Sequence, residues 1–154
     1  MAKKYSFAME NVLNHRQIIE DQCKRDFALS LKVLQECEMN LSKIEEIMRF
    51  KTAEMSTFGN NKVFSSMFFI EFQNYMRRLQ REKKNQERKI LNAKIDVDQK
   101  REKLIEATRN KKVILRLKEI DIKKYTAMMN RLEQNFIDEV AIMNYVNKNH
   151  SYGA

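Results

Sequence analysis

The sequence predicts an all-α chain, a long antiparallel two-helix coiled-coil hairpin whose second arm is longer or kinked. Three observations carry this prediction. The 154 residues include no Pro and only 2 Gly, where an average chain of this length holds roughly eight and eleven. These two residue types punctuate turns, so sandwiches, barrels and βαβ repeats, which need many turns, are disfavoured. Apolar residues also recur alternately three and four positions apart, the spacing of a coiled-coil seam. Finally, Gly59 is the one internal Gly and is followed by Asn60 and Asn61, so the chain has a single natural place to reverse.

The first arm is expected over about 5–57. Its seam runs Phe27, Ser30, Leu34, Cys37, Leu41, Ile44, Met48, Lys51, Met55, Phe58, in which all but Ser30 and Lys51 are apolar. Upstream, Tyr5, Met9, Val12, Arg16 and Ile19 keep the same rule. They join the later series through Cys23 by two successive steps of four, a stutter that locally unwinds a supercoil.

The reversal is expected over about 58–63, where Gly and Asn tolerate the left-handed conformation that closes a helix. The second arm follows over about 64–148. It would span about 130 Å at the standard rise against about 80 Å for the first. Either ~30 residues of it overhang, or a break near 63–85 folds a short helix over the tip. The stretch 73–110 contains no breaker, which favours an overhang or a kink.

The middle of this arm reads Gln86, Ile90, Ala93, Val97, Lys100, Leu104, Ala107, Lys111 and is thin in apolar residues. A second stutter is expected at Ala107, Lys111, Leu115. The seam then continues through Lys118, Ile122, Tyr125, Met129, Leu132, Phe136, Glu139, Met143 and Val146. The whole is expected to be one coiled-coil domain over 1–149 with a flexible tail at 150–154.

Composition narrows the function. Net charge is +9, from 30 Lys and Arg against 21 Asp and Glu. Such a balance fits an acidic protein, a nucleic acid or an anionic membrane surface. The start, Met1-Ala2-Lys3-Lys4-Tyr5, lacks the apolar run of a signal peptide. The most apolar stretch, 63–72, is interrupted by Ser65, Ser66 and Glu71 and is too short to span a bilayer. Cys23 and Cys37 lie roughly 21 Å apart on one helix and cannot bridge each other. Reduced seam thiols in a cytoplasmic protein are expected.

Catalysis finds little support in the residues. No Gly-rich loop is available to cradle a phosphate. His15 and His150 have no second His or Cys at ligand spacing, and no Glu-x-x-His occurs. No enzyme activity, cofactor or metal is expected.

Two features stand out beyond the seam. Between 77 and 103 the chain places eleven Lys and Arg among five Asp and Glu, holding +6 of the net charge. The arrangement lacks the Asn and Arg of a basic zipper, so a solvated or protein-binding face is expected there rather than nucleic-acid contact. Phe58, Phe64, Phe68, Phe69, Phe72 and Tyr75 then fall within eighteen residues. A two-helix tip can hide only some of them, so they form a candidate protein-docking surface together with Met76. The last segment adds Leu117, Ile120, Met128, Ile137, Val140, Ala141, Ile142 and Tyr145, too much apolar surface for one seam.

The two ends of the chain resemble the flagellar export protein FliJ family. The stretch Phe7-Ala8-Met9-Glu10-Asn11-Val12-Leu13-Asn14-His15-Arg16 is similar to the family's opening. Leu117-Lys118-Glu119, Tyr125 and Glu133-Gln134-Asn135-Phe136-Ile137-Asp138-Glu139-Val140-Ala141 resemble its close. The resemblance implies a non-catalytic, stalk-like coiled coil of the type III flagellar export apparatus. Such a protein would serve flagellum biogenesis, and through it motility and chemotaxis.

Implied partners are the hexameric flagellar export ATPase, whose assembly and activity it would promote, the cytoplasmic domain of the export gate, and export chaperones it would escort. Its implied location is cytoplasmic, peripheral at the cytoplasmic face of the inner membrane, without a membrane span. Arg16, Arg131, Glu133, Gln134, Asp138 and Glu139 would contact the ATPase ring. Phe64, Phe68, Phe69, Phe72, Tyr75 and Met76 at the tip would face the gate. Rival readings are the stalk protein of a virulence secretion system, a basic coiled coil binding nucleic acid through 77–103, and a structural coiled-coil dimer.

Overall fold

The computed structural model describes residues 5–59 and 66–151, with side chains through 58 and through 147. Two helices make up almost all of it: α1, Glu10–Gly59, and α2, Ser66–Ser151. The expected reversal at Asn60 and Asn61 lies outside the described residues. Gly59 itself is the last helical residue of α1, and no described glycine has a positive φ.

Continuous helix follows from what the sequence omits. Without Pro, every backbone N–H of the helices can donate along the axis. Residues that compete with the helix turn their hydroxyls inward. Ser30 donates to the Phe27 carbonyl, Thr52 to Met48, Ser56 and Thr57 to Ala53, and Thr126 to Ile122, all within 2.7–2.9 Å. These side chains are thereby satisfied without unwinding the turn. At the start of α1 the Glu10 N–H donates to the Phe7 carbonyl at 3.2 Å, and the Glu10 carboxylate sits in the first turn, where the helix dipole favours it.

The described chain divides into two compact units. One combines Met1–Ile19 with Thr108–Ala154, and the other is Glu20–Ala107. In the second unit, Lys83 meets Glu45, Gln86 meets Cys37 and Arg101 lies over Phe27, so the partner number climbs as the first falls. That is antiparallel pairing. In the first unit, Lys118 meets Glu10, while Asp121 and Tyr125 meet Tyr5, and the pairing is again antiparallel.

Burial follows the expected seam closely within the second unit. From Phe27 through Met55 every seam residue of α1 is at least half-buried, and only Phe58 is exposed. Across α2, Gln86, Ile90, Ala93, Val97 and Ala107 are buried. The stretch expected to be thin is therefore well buried, the small Ala93 and Ala107 included. Cys23 and Cys37 are free, half-buried thiols on the seam side of α1.

Two expectations need correction. Upstream of Cys23 it is Leu13 and Phe7, each 9% exposed, that pack inward, whereas Val12 is 41% exposed. The first stutter is not formed: Leu13, Arg16, Glu20, Cys23 and Phe27 are buried or half-buried in an unbroken three-four alternation, so the inward position falls one residue past Val12 and Ile19. The second stutter is not formed: Ile114 is half-buried and Leu115 exposed, so the three-four alternation continues through 107, 111, 114 and 118. Of the two forms open to the second arm, the unbroken one favoured by the sequence is found, since α2 runs as one helix of 86 residues. The longer arm takes the form of an overhang, with every residue from 130 to 147 exposed. Histidine 150 and Ser151, expected in the tail, belong to α2 by backbone, and 152–154 lie outside the described residues.

Candidate functional site

The aromatic cluster lies within the second unit. The last turns of α1 and the first turns of α2 enclose an open groove of about 630 Å³. Met55 and Phe58 line it from α1, and Phe68, Phe72 and Tyr75 from α2, with Lys51, Glu54, Glu71, Asn74 and Arg78 at its polar edge. Phe58, Phe68 and Phe69 are 44%, 47% and 48% exposed, while Phe72, Tyr75 and Met76 are half-buried. Exposure falls along one face of α2, from Phe68 through half-buried Phe72 and Tyr75 to Leu79. Residues 68, 72, 75 and 79 share one face, on which Leu79 is buried, and Phe69 points about 100° away from Phe68.

Four of the six residues expected at the tip thus fall into two sets. Phe68, Phe72 and Tyr75 line the groove, and Phe72 and Met76 line a shallower one beside it with Gln73, Arg77 and Gln80. Phe69 lines neither, and Phe64 lies outside the described residues. The groove's charges are organised. Lys51 Nζ donates to Glu54 Oε2 at 2.8 Å, and that hydrogen bond, with the carboxylate's charge, raises the ammonium above its ordinary pKa. The Arg78 guanidinium stands 5.9 Å from the Tyr75 ring centre, within the range of a cation–π contact. Sequence reasoning named Phe58 but missed the rest of the α1 wall. Lys51 and Met55 were legible as seam positions, and antiparallel pairing alone would have set them opposite the aromatic turns.

The second candidate set lies within the first unit. Arg131, Glu133, Gln134, Asp138 and Glu139 are all exposed on the overhang. Gln134 donates to Asp138 Oδ1 at 3.0 Å, one turn on. Arg131, Gln134 and Asp138 share a face, whereas Glu133 points to the opposite one. Arg16 is separate. It is half-buried on α1, six residues past Glu10, whereas Arg131 lies thirteen residues past Lys118, the partner of Glu10, in the opposite direction. At the standard rise this puts roughly 28 Å between Arg16 and Arg131.

The first unit also holds a groove of about 280 Å³ lined by Phe7, Ala8, Met9, Leu117, Ile120, Asp121 and Lys124. Its neighbourhood is pinned by Lys118, which places Nζ 2.9 and 2.7 Å from the two Glu10 oxygens and 6.0 Å from the Phe7 ring centre. The Tyr5 and Tyr125 rings meet at 5.3 Å, and the Tyr5 hydroxyl donates to Asp121 at 3.0 Å. Burial, followed by that hydrogen bond, raises the Tyr5 phenol above its ordinary pKa. Among the described residues no three His, Cys, Asp or Glu are placed to hold a metal ion, and no helix is long and apolar enough to cross a membrane.

Two antiparallel helices that bury one seam, and leave an apolar length of the longer helix outside it, define a two-helix coiled-coil protein. A family model described as "Flagellar FliJ protein" matches residues 5–150, nearly the whole chain. The chain belongs to the FliJ family and is a flagellar export-related component. Neither a curated protein nor a solved structure matches it significantly.

Proposed function

We propose that this chain is a non-catalytic, stalk-like component of the flagellar type III export apparatus. It docks through its overhang in the hexameric export ATPase, promotes ring assembly and turnover, and links the ring to the cytoplasmic domain of the export gate. Export chaperones are further clients. It works in the cytoplasm, peripherally at the cytoplasmic face of the inner membrane, as one coiled-coil domain over 1–149, and without nucleic acid.

The observation that carries this reading is the exposed overhang. Leu132, Phe136, Ile137, Ile142 and Met143 are each more than half exposed on a helix that continues well past Tyr125, the last residue with a described contact to Tyr5. Apolar side chains at seam spacing, left in water, carry a cost that a partner's surface would remove. Arg131, Gln134 and Asp138 on the same helix supply polar contacts around that apolar stripe. Glu133, Glu139 and, from α1, Arg16 complete the ring-contacting set. The groove with Phe68, Phe72 and Tyr75 receives the gate, and Phe69, Met76 and, from the sequence alone, Phe64 belong to the same proposed gate-facing set.

The test adds purified chain at a stoichiometric ratio to the export ATPase and measures turnover and hexamer formation. Both should rise, and unchanged values would sink the reading. A pull-down with Phe68, Phe69 and Phe72 replaced by Ala should lose the gate domain and keep the ATPase.

A further inference from the structure

The proposed docking ends leave the basic run of α2 unexplained, although this run holds most of the net charge. Its placement in the second unit is specific. The seam positions Gln86, Ile90, Ala93 and Val97 fix which side of α2 faces α1. Directly opposite, in the two outermost positions of each heptad, stand Arg77, Arg81, Lys84 and Arg88. All four are exposed, and none makes an ion pair among the described residues.

They follow one another at steps of four, three and four, covering about 17 Å of helix. Like charges at this spacing repel and locally destabilise a helix. Glu82 and Glu87 lie on the flanks rather than in the row. The neighbouring cation Lys83, by contrast, is taken up by Glu45 at 2.9 Å.

The same row continues as aliphatic residues at both ends. Ile70, at 58% exposure, precedes the four cations with Asn74 between, and Leu91 and Ile95 follow them directly at 61% and 51%. These outermost positions are ordinarily the most solvated of a coiled coil, and the two-helix pair gives an Ile or Leu there nothing to bury against. Asp98 and Glu102 then take the equivalent positions and interrupt the row before Ile105.

We propose that this outer face of α2 is a docking surface for an anionic lipid bilayer. The cations would sit at the headgroups, and Ile70, Leu91 and Ile95 at the headgroup–acyl boundary. Basic residues interrupted by exposed aliphatics along one helix face are the pattern of interfacial attachment. A planar surface touches the whole row at once and needs no groove. Nucleic acid would use the four cations but would leave Leu91 and Ile95 without a role. The proposal deepens the reading that the chain works peripherally at the inner membrane, and it is tested without any export component. Its failure therefore leaves the ATPase reading standing.

The full chain is floated with vesicles of phosphatidylcholine alone and of phosphatidylcholine mixed with phosphatidylglycerol. Binding is expected only to the mixed vesicles and should weaken as salt rises. Changing Arg81 and Lys84 to Gln should lower partitioning about 30-fold, at about fivefold per cation. Changing Lys89 and Lys94 to Gln removes the same charge from the flanks of the helix and should cost clearly less. L91S with I95S, at unchanged charge, should also weaken it. Circular dichroism checks that each variant stays helical. Equal binding to both vesicle types, no binding to the mixed ones, or equal losses from the two charge pairs overturns the proposal. So does indifference to L91S with I95S, and where duplex DNA then displaces the vesicles, nucleic acid is the occupant.

Discussion

Gln86 Nε2 donates a hydrogen bond to the backbone carbonyl of Cys37 at 2.9 Å, from a seam position only 7% exposed. The helix ladder uses one lone pair of that carbonyl, and Gln86 takes the other across the interface. A buried amide is satisfied in this way at one alignment of the helices, so it favours that register over slips along an otherwise aliphatic seam. Gln86→Ala should lower stability by about 1 kcal/mol, a fall of about 2–4 °C in a thermal melt followed by circular dichroism. Gln86→Leu, which removes donor and leaves an apolar group of similar size, should melt at or above the parent. A large loss from Gln86→Leu would refute this account.

The seam should be unequal along α2. Ile90 is 9% exposed and packed against α1, whereas Leu132 and Phe136 are 54% and 66% exposed. Ile90→Ala should cost about 2 kcal/mol or more. Leu132→Ala and Phe136→Ala should each change stability by no more than about 0.5 kcal/mol. Chemical denaturation of the three variants measures this directly. The reverse ranking would mean that the overhang folds back onto the chain in solution.

The Lys83–Glu45 pair sets a pH window. Lys83 Nζ lies 2.9 Å from Glu45 Oε1. The hydrogen bond and charge of Lys83 hold the carboxyl below its ordinary 4.5, and Glu45 holds the ammonium above its ordinary 10.5. A depressed carboxyl contributes stability that is present above its unfolded pKa and lost as pH falls through its folded one. A raised ammonium contributes below its unfolded pKa and loses that contribution as pH rises through its folded one. The pair is therefore complete across the neutral range. Melting temperature should fall on acidification below pH 4.5, and Glu45→Gln should flatten that limb.

Tyr5 gives the corresponding alkaline signal. Burial and its bond to Asp121 keep the phenol protonated above the ordinary 10.0. Its stabilising share is present below the unfolded pKa and lost as pH rises through the folded one. In an ultraviolet titration of the folded chain, Tyr5→Phe should remove absorbance change from the part of the curve above pH 10.0. If Tyr5→Phe leaves the titration curve's upper end unchanged, the Tyr5–Asp121 contact does not hold in solution.

The FliJ-like ends and the fold were legible in the sequence, since both rest on local properties. Absence of Pro, a single internal Gly and the three-four spacing each act along one chain, and together they specify helix and the side that seeks a partner. From Phe27 to Met55 and from Gln86 to Lys111 those positions are the ones that pack. The candidate docking residues were legible only as types. Which of them share a groove depended on the antiparallel register, and this brought Met55 and Lys51 to Phe72 and Tyr75 while leaving Phe69 outside.

What the sequence determined by itself was therefore a two-helix coiled coil with one place to reverse. Tertiary structure decided where the seam is filled. The apolar series from Leu132 to Val146 is as regular as the one from Phe27, yet it stands in water, while the sparser series around Ala93 is buried. The physical reason is that periodicity belongs to one helix and burial belongs to two. A seam excludes water only over the length where another helix stands opposite, and from 130 onward the spacing remains while every described side chain is exposed.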